Sequence, residues 1–264
     1  MSVRAPIRLL ILSATVLATL SACNREDDKT RTPASTATGD VVATAPVTPL
    51  SYESTTPFAE VELTLAPAIA AQPELHAQLY QTAVRELNQF NEGAQADRTE
   101  AGGDAGQAAY SRTIALVPAA ETRRLFALKR DDYEFTGGAH GKGVSSGILW
   151  DKTAGRQLKP ADLFLAGADL KAMNTALCAA INAEKRTRGE GVEPVTPNGD
   201  LWACPDASVT PFTLAPGTNG KAGGLLFLVG PYVVGPYVEG SYEVVVPTAV
   251  FAPMLAPDFA GEFG

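Results

Sequence analysis

The stretch Tyr133–Gly147, YEFTGGAHGKGVSSG, brings together the residue types that nucleophilic or metal chemistry would use. His140, set among glycines, can act as a general base or a metal ligand. Gly143-Val144-Ser145-Ser146-Gly147 spells the G-x-S-x-G of a serine-hydrolase elbow. Asp131, Asp132 and Glu134 crowd the same place and could serve as a general acid/base pair or as solvated strand-end charges.

Each of these chemistries needs partners. An elbow serine stands between a strand and a helix, whereas Ile148-Leu149-Trp150 after Gly147 again has strand character. A triad would recruit His140 from just upstream of Ser145, or distant His76 on the flank of a helix. With only 2 histidines, far apart and without an H-E-x-x-H helix, the chain lacks the spacing of a zinc site. No P-loop occurs, and no G-x-G-x-x-G follows a strand in a βαβ unit. The bland alternative is a turn between strands, with Gly137 and Gly138 supplying its backbone freedom and His140 either locking it or facing a ligand.

The elements that position this stretch are legible from periodicity. Val61, Leu63 and Leu65 alternate with Glu60, Glu62 and Thr64 as in a half-buried strand. Pro73 then opens a helix whose stripe runs Leu75, Leu79, Ala83, Leu87, Phe90, and Asn91 to Gln107 is expected to be loop. Strands are expected at Tyr110–Val117, Arg124–Lys129, Tyr133–Phe135 and Gly147–Trp150. Leu170, Met173, Leu177 and Ile181 mark a second helix, followed by a polar loop to Asp206. Strands return at Phe212–Leu214, GLLFLVG and SYEVVVP, interrupted by a doubled Gly-Pro-Tyr-Val that carries Tyr232 and Tyr237. Strands outnumber helices, which predicts an α+β fold: an antiparallel β-sheet with two main helices packed on one side.

The N-terminus carries the most specific motif. Arg4 and Arg8 precede the apolar run Leu9–Leu20, and Leu20-Ser21-Ala22-Cys23 resembles a bacterial lipobox. Residues 1–22 are thus expected to be a lipoprotein signal peptide and Cys23 the lipidated mature terminus, anchoring the protein in a membrane. Residues 23–50, rich in Thr, Ala and Pro, would form a tether of about 30 Å reach, ahead of a domain over 51–264. Asn24 after the cysteine, in place of a retention aspartate, favours the outer membrane in a Gram-negative cell. Export to an oxidising compartment predicts a disulfide between Cys178 and Cys204. The formal charge of −8, without a basic cluster, argues against nucleic acid as a partner.

Two blocks carry a family resemblance. YEFTGGAHGKGVSSGILWDKTAGRQLKPADLF, and FTLAPGTNGKAGGLLFLVGPYVVGPYVEGSYEVVVP further on, resemble in order the two signature regions of an extracytoplasmic domain seen in the RsiV anti-sigma factor and the PdaC peptidoglycan deacetylase. The resemblance spans about Phe58 to Leu255. It implies a noncatalytic α+β envelope domain, which in RsiV binds lysozyme and in PdaC accompanies a separate deacetylase domain. Gly137, Gly138, His140, Tyr232 and Tyr237 are the positions matching its motifs. The expectation is a lipid-anchored, periplasm-facing envelope protein, without cofactor or metal, that binds a cell-wall component or an envelope protein, peptidoglycan and a lysozyme-like hydrolase being the candidates. The competing expectations are a peptidoglycan-directed hydrolase or deacetylase using His140 with neighbouring Ser, Asp or Glu, and a structural lipoprotein without ligand.

Overall fold

The structure is a computed structural model that describes residues 47–102, 108–189 and 191–264. The chain divides into two units, Met1–Ala45 and Pro46–Gly264, and all described elements belong to the second. The signal peptide, Cys23 and the tether as far as residue 46 lie outside the described residues.

Strands β1 (Ser51–Thr55), β2 (Ala59–Leu65), β3 (Tyr110–Glu121), β4 (Leu125–Phe135), β5 (Lys142–Asp151) and β6 (Arg156–Leu158) form one sheet in sequence order. Its pairs are antiparallel except β2–β3. That pair is parallel because helix α1 (Pro73–Glu100) crosses between its strands. Strands β7 (Phe212–Pro216), β8 (Ala222–Val229) and β9 (Tyr242–Pro247) form a second, antiparallel sheet. The α+β class holds. The strands divide into two sheets, however, and each main helix takes its own: α1 packs on β2 and β3, and α2 (Lys171–Thr187) on β9.

Strand β4 shows why two sheets form. Leu125 to Leu128 are all buried, so both faces of the strand must be covered. Phe126 and Leu128 join Leu63, Leu87, Ile114 and Trp150 in the core under α1. Leu125 and Ala127 join Leu149, Leu177, Leu214 and Phe227 in the core shared with the second sheet and α2. A β-carbon on Gly147 of β5 would overlap the Phe212 carbonyl oxygen, so the missing side chain is what lets β7 cross the first sheet at close range.

Several boundaries differ from the periodicity reading: β3 runs on to Glu121, past the expected Val117, and β5 begins at Lys142, five residues before the expected Gly147. Helix α1 runs ten residues past Phe90, because Ala94 and Arg98 continue the stripe of Leu87 and are buried. Arg98 lays its guanidinium over the Tyr110 ring, 5.0 Å from the centroid, and donates to the Ala108 carbonyl. Strand β4 does not break at Lys129; its charged half, Arg130 to Glu134, pairs with β3 and β5 throughout. Strand β1 was not foreseen, since its polar residues carry no apolar alternation. His76, expected on a partly exposed helix flank, is buried in the first turn of α1, where Nε2–H donates to the Pro49 carbonyl at 2.9 Å. Among the described residues no helix is long and apolar enough to cross a membrane.

Candidate functional site

The β4–β5 hairpin turns through Gly137 and Gly138, whose φ values of 98° and 89° are in the region only glycine enters freely. Tyr133 closes over the turn so tightly that a β-carbon on Gly141 would overlap its hydroxyl. His140 sits at the end of the turn with both nitrogens engaged. Nδ1 lies 3.1 Å from the Gly141 carbonyl, which can only accept, so the proton resides on Nδ1. Nε2 is then free to accept the Tyr232 hydroxyl at 3.3 Å. The imidazole stacks on Tyr237 at 3.8 Å between centroids, and the Tyr237 hydroxyl donates to the same Gly141 carbonyl at 3.0 Å. The two blocks of sequence that carry the resemblance thus meet in one aromatic cluster.

Its second half is the Gly230–Gly240 loop between β8 and β9. Tyr232 has φ 65°, a left-handed conformation unfavourable for a bulky residue, so backbone strain is held where the ring meets His140. The loop is tied down from behind. Glu239 accepts from the Lys185 ammonium of α2 at 2.6 Å and from the Tyr242 hydroxyl. Arg188 donates to the Glu239 and Ser241 carbonyls, and its guanidinium lies 3.6 Å from the Tyr242 ring centroid.

Beside the cluster opens a cleft of about 550 Å³, a volume in the range of small-ligand pockets. One side is β5 from Lys142 to Ser145 and the other is Val209 to Pro211 leading into β7. Leu228 and Val233, with Tyr232, complete the walls. Val144, Val209, Tyr232 and Val233 are all exposed large hydrophobics, gathered around this one opening. The Val209 side follows the expected disulfide: Cys178 of α2 is bonded to Cys204, with Cα atoms 5.2 Å apart. Asn182 holds the same segment through both backbone groups of Val195 at 2.8 Å, and Asn174 accepts from the Ala207 amide at 2.8 Å.

The residues singled out for chemistry are brought close but not into a catalytic arrangement. Ser145 faces the cleft in the middle of β5, a straight strand rather than an elbow, and donates to Asp131 across the β4–β5 pair at 2.6 Å. His140 has no hydrogen bond to Ser145; both its nitrogens serve Gly141 and Tyr232. Strand alternation splits the carboxylates. Asp131 goes with Ser145 and Lys129, while Asp132 turns to the other face and pairs with Arg130 at 2.6 Å and Arg112 at 3.3 Å. Among the described residues no three His, Cys, Asp or Glu side chains converge on a point that could hold a metal ion. Sequence reasoning missed the Val209 and Pro211 wall, which lies in a segment without periodicity, and the Lys185–Glu239 support, because a lysine in the last turn of a helix reads as a charge suited to the helix dipole.

No family model matches the sequence, and no curated protein does either. Among solved structures the chain is similar to a member of the DUF3298 family from Bacteroides fragilis NCTC 9343. The identity is 18% and the TM-score 0.52, over 80% of this chain and 94% of that one. A DUF3298 family protein from Pseudomonas aeruginosa PAO1 aligns at 16% identity and a TM-score of 0.47, covering 79% of this chain and 92% of that one. At this identity the first likeness speaks for architecture alone: the fold is one seen in the DUF3298 family.

Proposed function

We propose that this chain is a lipid-anchored envelope protein without catalytic activity, whose domain binds a cell-wall component or an envelope protein in the cleft beside His140. Residues 1–22 act as the signal peptide, Cys23 carries the lipid, and residues 23–50 hold the domain off the membrane, the outer one in a Gram-negative cell. The resemblance to the extracytoplasmic domain of RsiV and PdaC makes a lysozyme-like protein or peptidoglycan the first partner to try. Replacing Cys23 with serine is expected to move the protein from the membrane to the soluble fraction; unchanged membrane fractionation would contradict the anchor.

The observation that carries the binding reading is the cleft itself. Its walls are apolar and open, while the side chains beside it that could do chemistry are engaged: His140 with Gly141 and Tyr232, Tyr237 with Gly141, Ser145 with Asp131. Such a surface holds a ligand without groups poised to transform it. Retention of lysozyme or of peptidoglycan sacculi by the purified protein is the test. Val209, 79% exposed at the rim, can become glutamate without disturbing the core, and V209E is expected to weaken retention at least about tenfold by placing a charge where apolar surface is buried. Failure of the wild-type protein to retain either partner, or equal retention by V209E, would overturn the reading.

A further inference from the structure

Strand β5 is paired along one side from Lys142 to Asp151 by β4, but on its other side β6 reaches only Leu149, Trp150 and Asp151. From Lys142 to Ile148 its second edge has no partner strand among the described residues. Alternate residues of such an edge turn N–H and C=O groups outward, the template on which another extended chain adds. Proteins usually blunt such an edge with charge, proline or a bulge. Here Gly143, Val144, Ser145 and Ser146 carry none of these.

The edge also borders the cleft. Lys142, Gly143, Val144 and Ser145 line it in succession, so residues from both faces of the strand border it, as they do where a groove runs along a strand's edge. Across the opening Val209, Tyr232 and Val233 present exposed apolar side chains, and Gly143 has nothing within 4 Å of where its β-carbon would be. The lining contains one charged residue, Lys142, and no carboxylate, although the chain carries 29 acidic residues. Lys142 forms no ion pair within the described residues.

We infer that the cleft takes an extended peptide, added as a strand along Lys142–Ser146, with alternate apolar side chains against Val144, Val209 and Val233 and an acidic residue at Lys142. Main-chain hydrogen bonds supply the affinity and the alternate side-chain contacts the selectivity. The inference rests on the reading of the cleft as the binding site and names the chemistry of its ligand. An aliphatic chain would use the same apolar walls but would leave the strand edge unused, and the two differ in a measurable way.

The probe is a fluorescent pool of acetyl-Glu-X-Thr-X-Thr-X-Glu-amide peptides, with X varied among Val, Leu, Ile, Phe and Tyr, titrated against the full chain. Two further pools carry N-methyl groups on the X amides or on the Thr amides. Strand addition predicts that one methylated pool loses at least about tenfold in affinity while the other stays within about twofold, since only alternate amides face β5. It also predicts slowed hydrogen exchange within Lys142–Ser146 on binding. K142Q is expected to weaken the parent pool roughly two- to fivefold, the scale of an exposed ion pair, without removing the contrast. Equal effects of the two methylated pools, or no binding of any pool, would overturn strand addition. If lysozyme or sacculi are still retained in a V209E-sensitive way, the cleft reading survives that result; if they are not, both fall.

Discussion

Replacing Lys185 with alanine is expected to destabilise the folded unit by about 3–5 kcal/mol, the usual cost of breaking a buried ion pair from one side. Lys185 is 2% exposed, continues the buried face of Leu177 and Ile181, and reaches Glu239 in the loop that carries the tyrosines. Its partner Glu239 is itself largely buried, so the variant leaves a carboxylate without its cation in a low-dielectric site. The double variant K185M/E239Q should recover most of the loss, because neither charge then has to be desolvated. Urea unfolding midpoints of the two variants against the wild type check this. The single variant should also speed hydrogen exchange across Gly230–Gly240 and loosen the wall of the cleft. Equal midpoints for K185A and wild type would show that the pair contributes nothing.

The same network sets a pH dependence at both ends of the scale. Burial pushes the Glu239 carboxyl up, but hydrogen bonds from Lys185 and Tyr242 and the nearby charges of Lys185 and Arg188 outweigh it and hold the pKa below the ordinary value. A depressed carboxyl pKa stabilises the fold above the unfolded value near 4.5, and that contribution disappears as pH falls through the folded one. Tyr242 is pushed up to about 12, first by burial and then by donating to Glu239. Its contribution is complete below pH 10.0 and disappears as pH rises towards 12, because the unfolded chain releases the phenolic proton first.

How far the sequence reaches is best judged from particular residues. Strand β2 and helix α2 were legible because Val61, Leu63 and Leu65, and Met173, Leu177 and Ile181, repeat at the period of one buried face. Strand β4 was legible only in part. Its charged half survives because Arg130 and Asp132 find Glu86 and Arg112 across α1 and β3, contacts that no local pattern encodes. The parallel β2–β3 pair follows from the length of α1, which was read ten residues too short. At the candidate site, His140 and the two tyrosines were each marked by unusual neighbours, yet nothing in the sequence said that they meet. The stacking joins the β4–β5 turn of one sheet to the β8–β9 loop of the other. Of the two roles open to His140, locking a turn or facing a ligand, the hydrogen bond to Gly141 shows the first. The imidazole holds the turn through Gly141 and at the same time borders the cleft.

Reduction of the Cys178–Cys204 bond, or its replacement by a pair of alanines, is expected to cost about 3–4 kcal/mol. The bond closes a loop of sequence separation 26, and chain-entropy loss in the unfolded state scales with that length. For a unit of this size the loss corresponds to a fall in Tm of roughly 6 to 16 °C, readable by calorimetry with and without reductant. The effect on the cleft should be smaller than the effect on stability. Asn182 still clasps Val195 through two hydrogen bonds, and Asn174 still holds the Ala207 amide, so the Val209 side keeps two attachments to α2 when the sulfurs part. Adding N182A to the reduced protein removes the stronger of these. It should then weaken retention of lysozyme or sacculi by more than the sum of the two separate changes, since both act on the same segment and neighbouring contacts are not additive. A reduced protein with an unchanged Tm would show that the bond leaves the unfolded chain as free as before, and an additive double change would show that Asn182 and the disulfide do not share the cleft wall.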